Sequence, residues 1–232
     1  MSIGRPIEIY GAIHSEPDKG HDRLYIDDDH LFVGVIDGAG GAELSSAVVT
    51  ELPDIIRSSA EVRAVSQELF LARVMSIADN LPQGLQRKAT MAAACACPID
   101  SHIQINYGNA GDSSLYFYSP AEDNLSQIAH SPTRYTHVGD RQLTDTSDFL
   151  GNFRDESSIR QSIGSMLLPK DMKWSVIGFS DGVQDDDGRG IETTLLREIL
   201  RTTSAAEVPE TVLNAIEPYD DASVFVMSRR VM

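Results

Sequence analysis

The chain has 232 residues, 41% of them hydrophobic, and a formal net charge of −16. That is enough apolar chain for one core. Its acidity disfavours a phosphate backbone as partner, which argues against a nucleic-acid binder. No apolar run approaches the roughly 20 residues a membrane span requires, and the first ten residues show no basic-then-apolar leader. The two cysteines, Cys95 and Cys97, are one residue apart, cannot staple a domain, and fit a reducing cytoplasm. Among the acids, 22 are Asp and 13 are Glu. Asp favours turns and caps, and it is also a short ligand for hard divalent cations.

The elements read in chain order as follows. Residues 7–13 (IEIYGAI), 23–27 (RLYID) and 31–37 (LFVGVID) are predicted strands. The short polar link Asp28-Asp29-His30 makes the last two an antiparallel hairpin. From Ala42 the period changes, and Leu44, Val48, Leu52, Ile55 and Ile56 fall on one helical face. Pro53 is placed to kink or end that helix. Residues 66–81 form a second predicted helix, with Leu69, Val74 and Ile77 inward.

Residues 90–97, 101–107 and 113–118 are a further run of predicted strands. Residues 129–160 are polar and read as a long, irregular surface excursion, a feature more often functional than idle in a compact domain. WSVIGF at 174–179 is a buried strand. Helical stretches follow at 191–202 and 206–216, and the last strand is 222–228. With no repeat and no Pro/Gly/Ser linker, a single domain over 1–232 is expected. Helices segregated from blocks of hairpins indicate an α+β fold with antiparallel sheets covered by helices. A layered α/β/β/α sandwich fits, although periodicity does not choose it over other α+β folds.

Several apolar strands run into an aspartate. LFVGVID ends at Asp37 before Gly38-Ala39-Gly40-Gly41, NYGNAG leads to Asp112, WSVIGFS runs into Asp181-Gly182, and Asp220-Asp221 stand just before ASVFVM. Carboxylates at strand termini can converge at one edge of a sheet. There they repel and raise one another's pKa unless cations neutralise them. Mg²⁺ or Mn²⁺ is the natural cation for an all-oxygen site. Each motif alone is weak, since an Asp-Gly after a strand is usually a turn. Cys95 and Cys97 read as small core residues, Trp174 as packing, and Asp185-Asp186-Asp187 as a solvated loop.

These four segments, in this order, resemble the metal-dependent Ser/Thr protein phosphatases (PPM, type 2C), over roughly residues 20 to 228. LFVGVIDGAGG is similar to the family's strand ending in Asp-Gly-x-Gly-Gly, and NYGNAGDSS to its Asn-x-Gly-Asp-Ser segment. VIGFSDG is similar to its Ser-Asp-Gly segment, and DDASVF to its terminal strand. GHDRLYID resembles the early acidic segment, with Asp22 at the acidic position, and DFLGN is a weaker match before the flap region.

The resemblance implies a four-layer α/β/β/α sandwich. It implies that Asp37 bridges two Mn²⁺ or Mg²⁺ ions and that the Gly38 carbonyl binds one of them. Asp181 and Asp220 would hold the other, Asp112 would join Asp181 at a third, and Asp22 would sit nearby through water. The implied activity is hydrolysis of phosphoserine and phosphothreonine in proteins by a metal-activated water, with Asp37, Asp181 and Asp220 central. The implied partner is a phosphoprotein, a target of a Ser/Thr kinase, and the implied state a cytoplasmic monomer.

The sequence departs from the family in three places. Near Pro17 there is no arginine where the family places its phosphate contact, and Lys19, His14 and Arg23 are the nearest candidates. His21 stands where the family often has Glu or Gln, and Ala39 where eukaryotic members have histidine. The missing arginine motivates one alternative, a catalytically weak module that binds a phosphoprotein or regulatory partner, and the sequence also leaves open a metal-dependent hydrolase of small phosphate compounds.

Overall fold

The computed structural model describes residues 7–17, 20–38, 42–60, 89–129, 133–138, 141–146, 163–183, 191–216, 218 and 220–229. The predicted helix at 66–81, the Asp185-Asp186-Asp187 loop, Lys19 and Ala39 lie outside the described residues.

Twelve strands and three helices are described. The strands are β1 (Ile7–His14), β2 (Arg23–Asp27), β3 (Phe32–Asp37), β4 (Thr90–Ile99), β5 (His102–Ala110), β6 (Ser114–Ser119), β7 (Asn124–Ala129), β8 (Thr133–Val138), β9 (Arg141–Thr146), β10 (Ile163–Pro169), β11 (Trp174–Phe179) and β12 (Ala222–Arg229). The helices are α1 (Glu43–Ala60), α2 (Thr193–Thr202) and α3 (Val208–Ile216), with a single 3₁₀ turn at Asp181–Val183.

Two five-stranded sheets result, ordered β1-β12-β11-β6-β7 and β10-β5-β4-β3-β2. Every pairing within them is antiparallel. Alternation along each strand sends one set of side chains between the sheets and the other outward. Val33 and Val35, Ala92, Ala94 and Ala96, and Ile103 and Ile105 of the second sheet meet Ile7, Ile9, Leu115, Trp174, Val176, Phe225 and Met227 of the first. The outward face of the second sheet presents Phe32, Ile36, Met91 and Ala93 to Leu44, Val48, Leu52, Ile55 and Ile56 of α1. The outward face of the first presents Ile177, Phe179, Val224 and Val226 to Leu196 and Ile199 of α2 and to Val208, Val212 and Leu213 of α3. The order of layers is therefore helix, sheet, sheet, helix, the α/β/β/α sandwich.

Two local expectations are corrected, and the strands β7 and β10 go beyond those the sequence pattern marks. Pro53 does not end the helix, because α1 runs through it to Ala60. One backbone hydrogen bond is lost there, but Leu52, Ile55 and Ile56 on either side are buried against the sheet, and that burial outweighs it. The 129–160 excursion is not wholly irregular, since β8 and β9 pair as a separate hairpin within it. The predicted strand at 113–118 is followed by β7, which continues the sheet through β6.

Cys95 and Cys97 lie on one face of β4, half-buried, with their Sγ atoms 4.0 Å apart. The hydrogen bond from Cys95 brings the Cys97 thiol down to about 7, against the opposing effect of burial. Trp174 packs fully buried between the sheets, as read from the sequence.

The sandwich makes a direct prediction. Phe225 is fully buried between the sheets. Phe225→Ala should therefore cost about 3–5 kcal/mol, read as a lower urea midpoint with an unchanged slope.

Candidate active site at the aspartate edge

Antiparallel register brings the predicted aspartates to one end of the sandwich. Arg23 on β2 pairs with Ile36 on β3, so one residue further Asp22 stands across from Asp37. Asp37 in turn pairs with Thr90 at the start of β4. In the other sheet, Phe179 at the end of β11 lies between Ser114 of β6 and Val224 of β12. Asp112, Asp181 and Asp220 occupy the turns that continue from those three strand ends. Gly38 is buried directly after Asp37.

The edge is held by a buried network. Asp22 is only 3% exposed, and its Oδ2 accepts hydrogen bonds from Ser180 Oγ and Ser223 Oγ, both at 2.7 Å. The Ser223 amide donates to Ser180 Oγ at 3.0 Å, and the Ser180 amide to the Ser223 carbonyl at 3.1 Å. Asp22 belongs to the β2 side of one sheet, whereas the serines belong to the ends of β11 and β12 in the other. Thr90 Oγ1 and Ser113 Oγ are 2.7 Å apart, which fixes the turn carrying Asp112 against β4. In that turn Gly111 has φ +75, and a Cβ there would meet Thr90 Cγ2 at 2.5 Å.

Asp221 does different work from its neighbour Asp220. Its Oδ1 accepts from the Glu16 amide at 2.9 Å, and its Oδ2 from the Gly20 and His21 amides at 2.6 and 2.7 Å. Burial opposes its charge, but these amides outweigh burial and hold its carboxyl below the usual range. Asp221 thus fastens the segment immediately before Asp22. Ser45 Oγ donates to the His21 carbonyl at 2.7 Å and fastens the same segment to α1. Arg23 completes the clamp: Nη1 donates to the Gly20 and Asp22 carbonyls at 2.6 and 2.7 Å, and Nη2 to Ser46 Oγ at 3.0 Å. Gly182 admits the Asp221 backbone, since a Cβ there would lie 1.8 Å from the Asp221 carbonyl oxygen.

The electrostatics run the other way at the centre. Burial first, then the charges of Asp22 and Asp181, push Asp37 up to about 9. Burial, then the charges of Asp112, Asp22 and Asp220, push Asp181 up to about 7. Burial also raises Asp22, against the hydrogen bonds from the two serines. Five carboxylates from distant parts of the chain therefore interact at one edge. Asp22 Oδ1 is buried there and accepts no hydrogen bond among the described residues. An all-oxygen, strongly anionic set with a spare buried oxygen matches in chemical type a hard divalent cation such as Mg²⁺ or Mn²⁺. Among the described residues, however, no group of three or more His, Cys, Asp or Glu side chains is arranged to hold a metal ion. The match is thus in donor chemistry and electrostatic need, and not in a finished coordination shell.

Sequence reasoning named all five of these aspartates and Gly38. It missed what Ser180, Ser223, Thr90, Ser113 and Asp221 do. The serines flank the Asp motifs in sequence and could have been suspected there. Asp221 could not, because its partners are backbone amides with no side-chain signature.

The raised carboxyls make stability depend on pH with a fixed sign. A carboxyl raised on folding contributes stability that is fully present below its unfolded value of 3.8. That stability is lost as pH rises through about 7 for Asp181 and about 9 for Asp37. In the presence of a chelator, the melting temperature should fall as pH is raised through this window. Asp37→Asn should flatten the fall; an unchanged slope would contradict the assignment. Gly182→Ala should lower the melting temperature and disturb the edge together.

No protein-family model and no curated protein matches the sequence. Solved structures do. The chain is similar to the PPM Ser-Thr phosphatase MsPP from Mycobacterium smegmatis in complex with cacodylate, with TM-score 0.60 and 15% identity over 95% of this chain and 97% of that one. It is similar to RsbX in complex with magnesium, with TM-score 0.60 and 15% identity over 97% of this chain and 96% of that one. A C. elegans sex-determining protein gives TM-score 0.67 and 14% identity over 97% of this chain, which spans 65% of the length of that structure. Likeness at these identities speaks to architecture, and it agrees with the four aspartate motifs: the chain has the fold of the PPM Ser/Thr phosphatases.

Proposed function

We propose that this chain is a metal-dependent phosphomonoester hydrolase acting on phosphoserine and phosphothreonine in proteins. The observation that carries the reading is the convergence of Asp22, Asp37, Asp112, Asp181 and Asp220 on one edge, where burial and mutual repulsion raise Asp37 and Asp181. Such a cluster is costly for a fold and is relieved by cations. Asp37 and the Gly38 carbonyl would hold one Mn²⁺ or Mg²⁺, Asp37 would share a second with Asp181 and Asp220, and Asp112 would join Asp181 at a third. When bound, such ions neutralise charge on a phosphoryl group and lower the pKa of a water. The chain's own residues keep the edge rigid. Ser180 and Ser223 fix Asp22, and Asp221 and Arg23 fix the segment in front of it.

The reading treats residues 1–232 as one catalytic domain, monomeric and working in a reducing cytoplasm. Its substrate is a phosphoprotein, the product of a Ser/Thr kinase, and the 129–160 excursion gates access to the edge. Replacing that excursion by a short linker should change phosphopeptide selectivity more than hydrolysis of a small aryl phosphate. Equal effects on both would count against gating.

A second reading, a catalytically weak module that binds a phosphoprotein or regulatory partner, is favoured by one observation. Arg23, the candidate arginine near the expected phosphate contact, spends its guanidinium on two backbone carbonyls and Ser46.

The deciding measurement is hydrolysis of an aryl phosphate, a phosphothreonine peptide and a nucleotide, with Mn²⁺ or Mg²⁺ and with chelator, beside Asp37→Asn. The proposal expects peptide hydrolysis that needs metal and falls by about 10²-fold or more in the variant. Metal-dependent stabilisation without phosphate release would favour the binding module. Faster turnover of the nucleotide than of the peptide would move the assignment to small phosphate compounds.

A further inference from the structure

The end of the sandwich opposite the aspartate edge holds a cavity that the phosphatase reading does not use. It measures about 450 Å³, within the usual range for a small-molecule site. Arg229, the last residue of β12, lies in its wall. The eight residues of that strand set it roughly 25 Å from Asp220 and Asp221 at the other end.

Arg229 breaks the pattern of its strand. Phe225 and Met227 point between the sheets, and Arg229 is the next residue of that stripe. Its cross-strand neighbours on either side, Ile7 on β1 and Trp174 on β11, are buried in the same inter-sheet core. A guanidinium set in an apolar row is costly unless an anion meets it. Here Arg229 Nε is buried and has no hydrogen-bond partner among the described residues, and neither has the indole Nε1 of its neighbour Trp174.

The rest of the wall fits an anion with a hydrocarbon body. Ile7 and Ile103 are buried, Leu31 is half-buried, and together with Pro98 they make the wall apolar. Leu31 takes φ +53 where the β2–β3 turn closes, a conformation that glycine or asparagine usually supplies, and the Ala96 amide donates to its carbonyl at 3.0 Å. Backbone strain is thus accepted at a residue whose side chain lines the cavity. Lys170 adds a second cation at the exposed rim, where its amide donates to the Ser101 carbonyl at 3.1 Å. Asp28 and Asp29, also exposed on the rim, balance the two cations. That balance limits the charge of an occupant. One negative charge satisfies Arg229, whereas a second would face the rim carboxylates.

We propose that this cavity binds a small monocarboxylate carried on a hydrocarbon body. The carboxylate accepts from Arg229 in the wall and pairs with Lys170 at the rim, and the hydrocarbon lies on Ile7, Leu31 and Ile103. The site goes beyond the phosphatase reading and shares no residue with the aspartate edge.

The chain has one tryptophan, Trp174, and its pairing with Arg229 makes its emission a reporter of the cavity. The full chain, without added metal, is titrated with octanoate, 1-octanol, octyl phosphate and acetate, followed by Trp174 emission and by calorimetry. The expected result is one saturable octanoate site per chain, with 1-octanol and acetate each weaker by about ten-fold or more, and octyl phosphate weaker than octanoate. Arg229→Gln should weaken octanoate by about ten-fold or more and leave 1-octanol unchanged, with its melting temperature measured alongside. Lys170→Gln, at the exposed rim, should weaken octanoate by about two- to five-fold, and it decides the matter should Arg229→Gln unfold. The proposal is overturned if octanoate shows no saturable binding, or if 1-octanol or octyl phosphate binds as tightly. It is overturned equally by full octanoate affinity in folded Arg229→Gln or, should that variant unfold, in Lys170→Gln. None of these results bears on metal-dependent phosphate release, so the phosphatase reading stands or falls separately.

Discussion

One buried carboxylate oxygen joins the two sheets where the chemistry would occur. Asp22 Oδ2 takes a hydroxyl from Ser180 and another from Ser223, each at 2.7 Å. Hydrophobic contact between the sheets is non-directional and would tolerate sliding. A carboxylate shared by two hydroxyls is not so tolerant, because both bonds are short, charge-assisted and buried. Asp37 beside Asp22, and Asp181 beside Ser180, inherit their positions from this junction. Removing it would leave a buried charge without partners as well as a loosened edge.

Six aspartates crowd this end of the molecule, and they divide by what surrounds them. Asp221 is surrounded by amides and held below the usual carboxylate range. It behaves as a structural anion, fully occupied. Asp37 and Asp181 face other carboxylates and are pushed up. A fold built only for stability would replace such residues with neutral ones. Their presence at a rigid edge, supported by an independently satisfied neighbour, is the pattern of a site that trades stability for function. Any ion that binds the folded edge and not the unfolded chain would restore the loss by mass action.

Much of this was legible in the sequence, for identifiable reasons. Strands such as LFVGVID and WSVIGF announce themselves because they are buried on both faces, and the aspartates at their ends need only antiparallel register to converge. The α1 stripe of Leu44, Val48, Leu52, Ile55 and Ile56 has the helical period, and that stripe is the face buried on the sheet. The misses share a different physics. In β7, Asn124 and Gln127 are exposed and only Ala129 is buried, so the strand owes its existence to pairing with β6 rather than to its own pattern. The β8–β9 hairpin is as polar as a loop and is defined by its ladder alone. Pro53 is a local helix breaker overruled by tertiary packing on both sides of it. The role of Asp221 is written in backbone amides, which every residue but proline carries.

Arg23 shows how far the site can be reasoned from charge. In sequence it is a candidate to replace the absent phosphate-binding arginine. In the structure its guanidinium holds the Gly20 and Asp22 carbonyls and Ser46 Oγ, so turning it toward a substrate would release the segment that carries Asp22. The anchor cannot be recruited without loosening what it anchors. A phosphomonoester is itself anionic, and at an edge of clustered carboxylates the Coulomb term opposes its approach at every distance short of the Debye length, about 8 Å at physiological salt. With Arg23 already committed to its own segment, neutralising the carboxylates eases the approach of a phosphate ester. For the hydrolase proposed at this edge, the charge distribution therefore favours cation first and ester second.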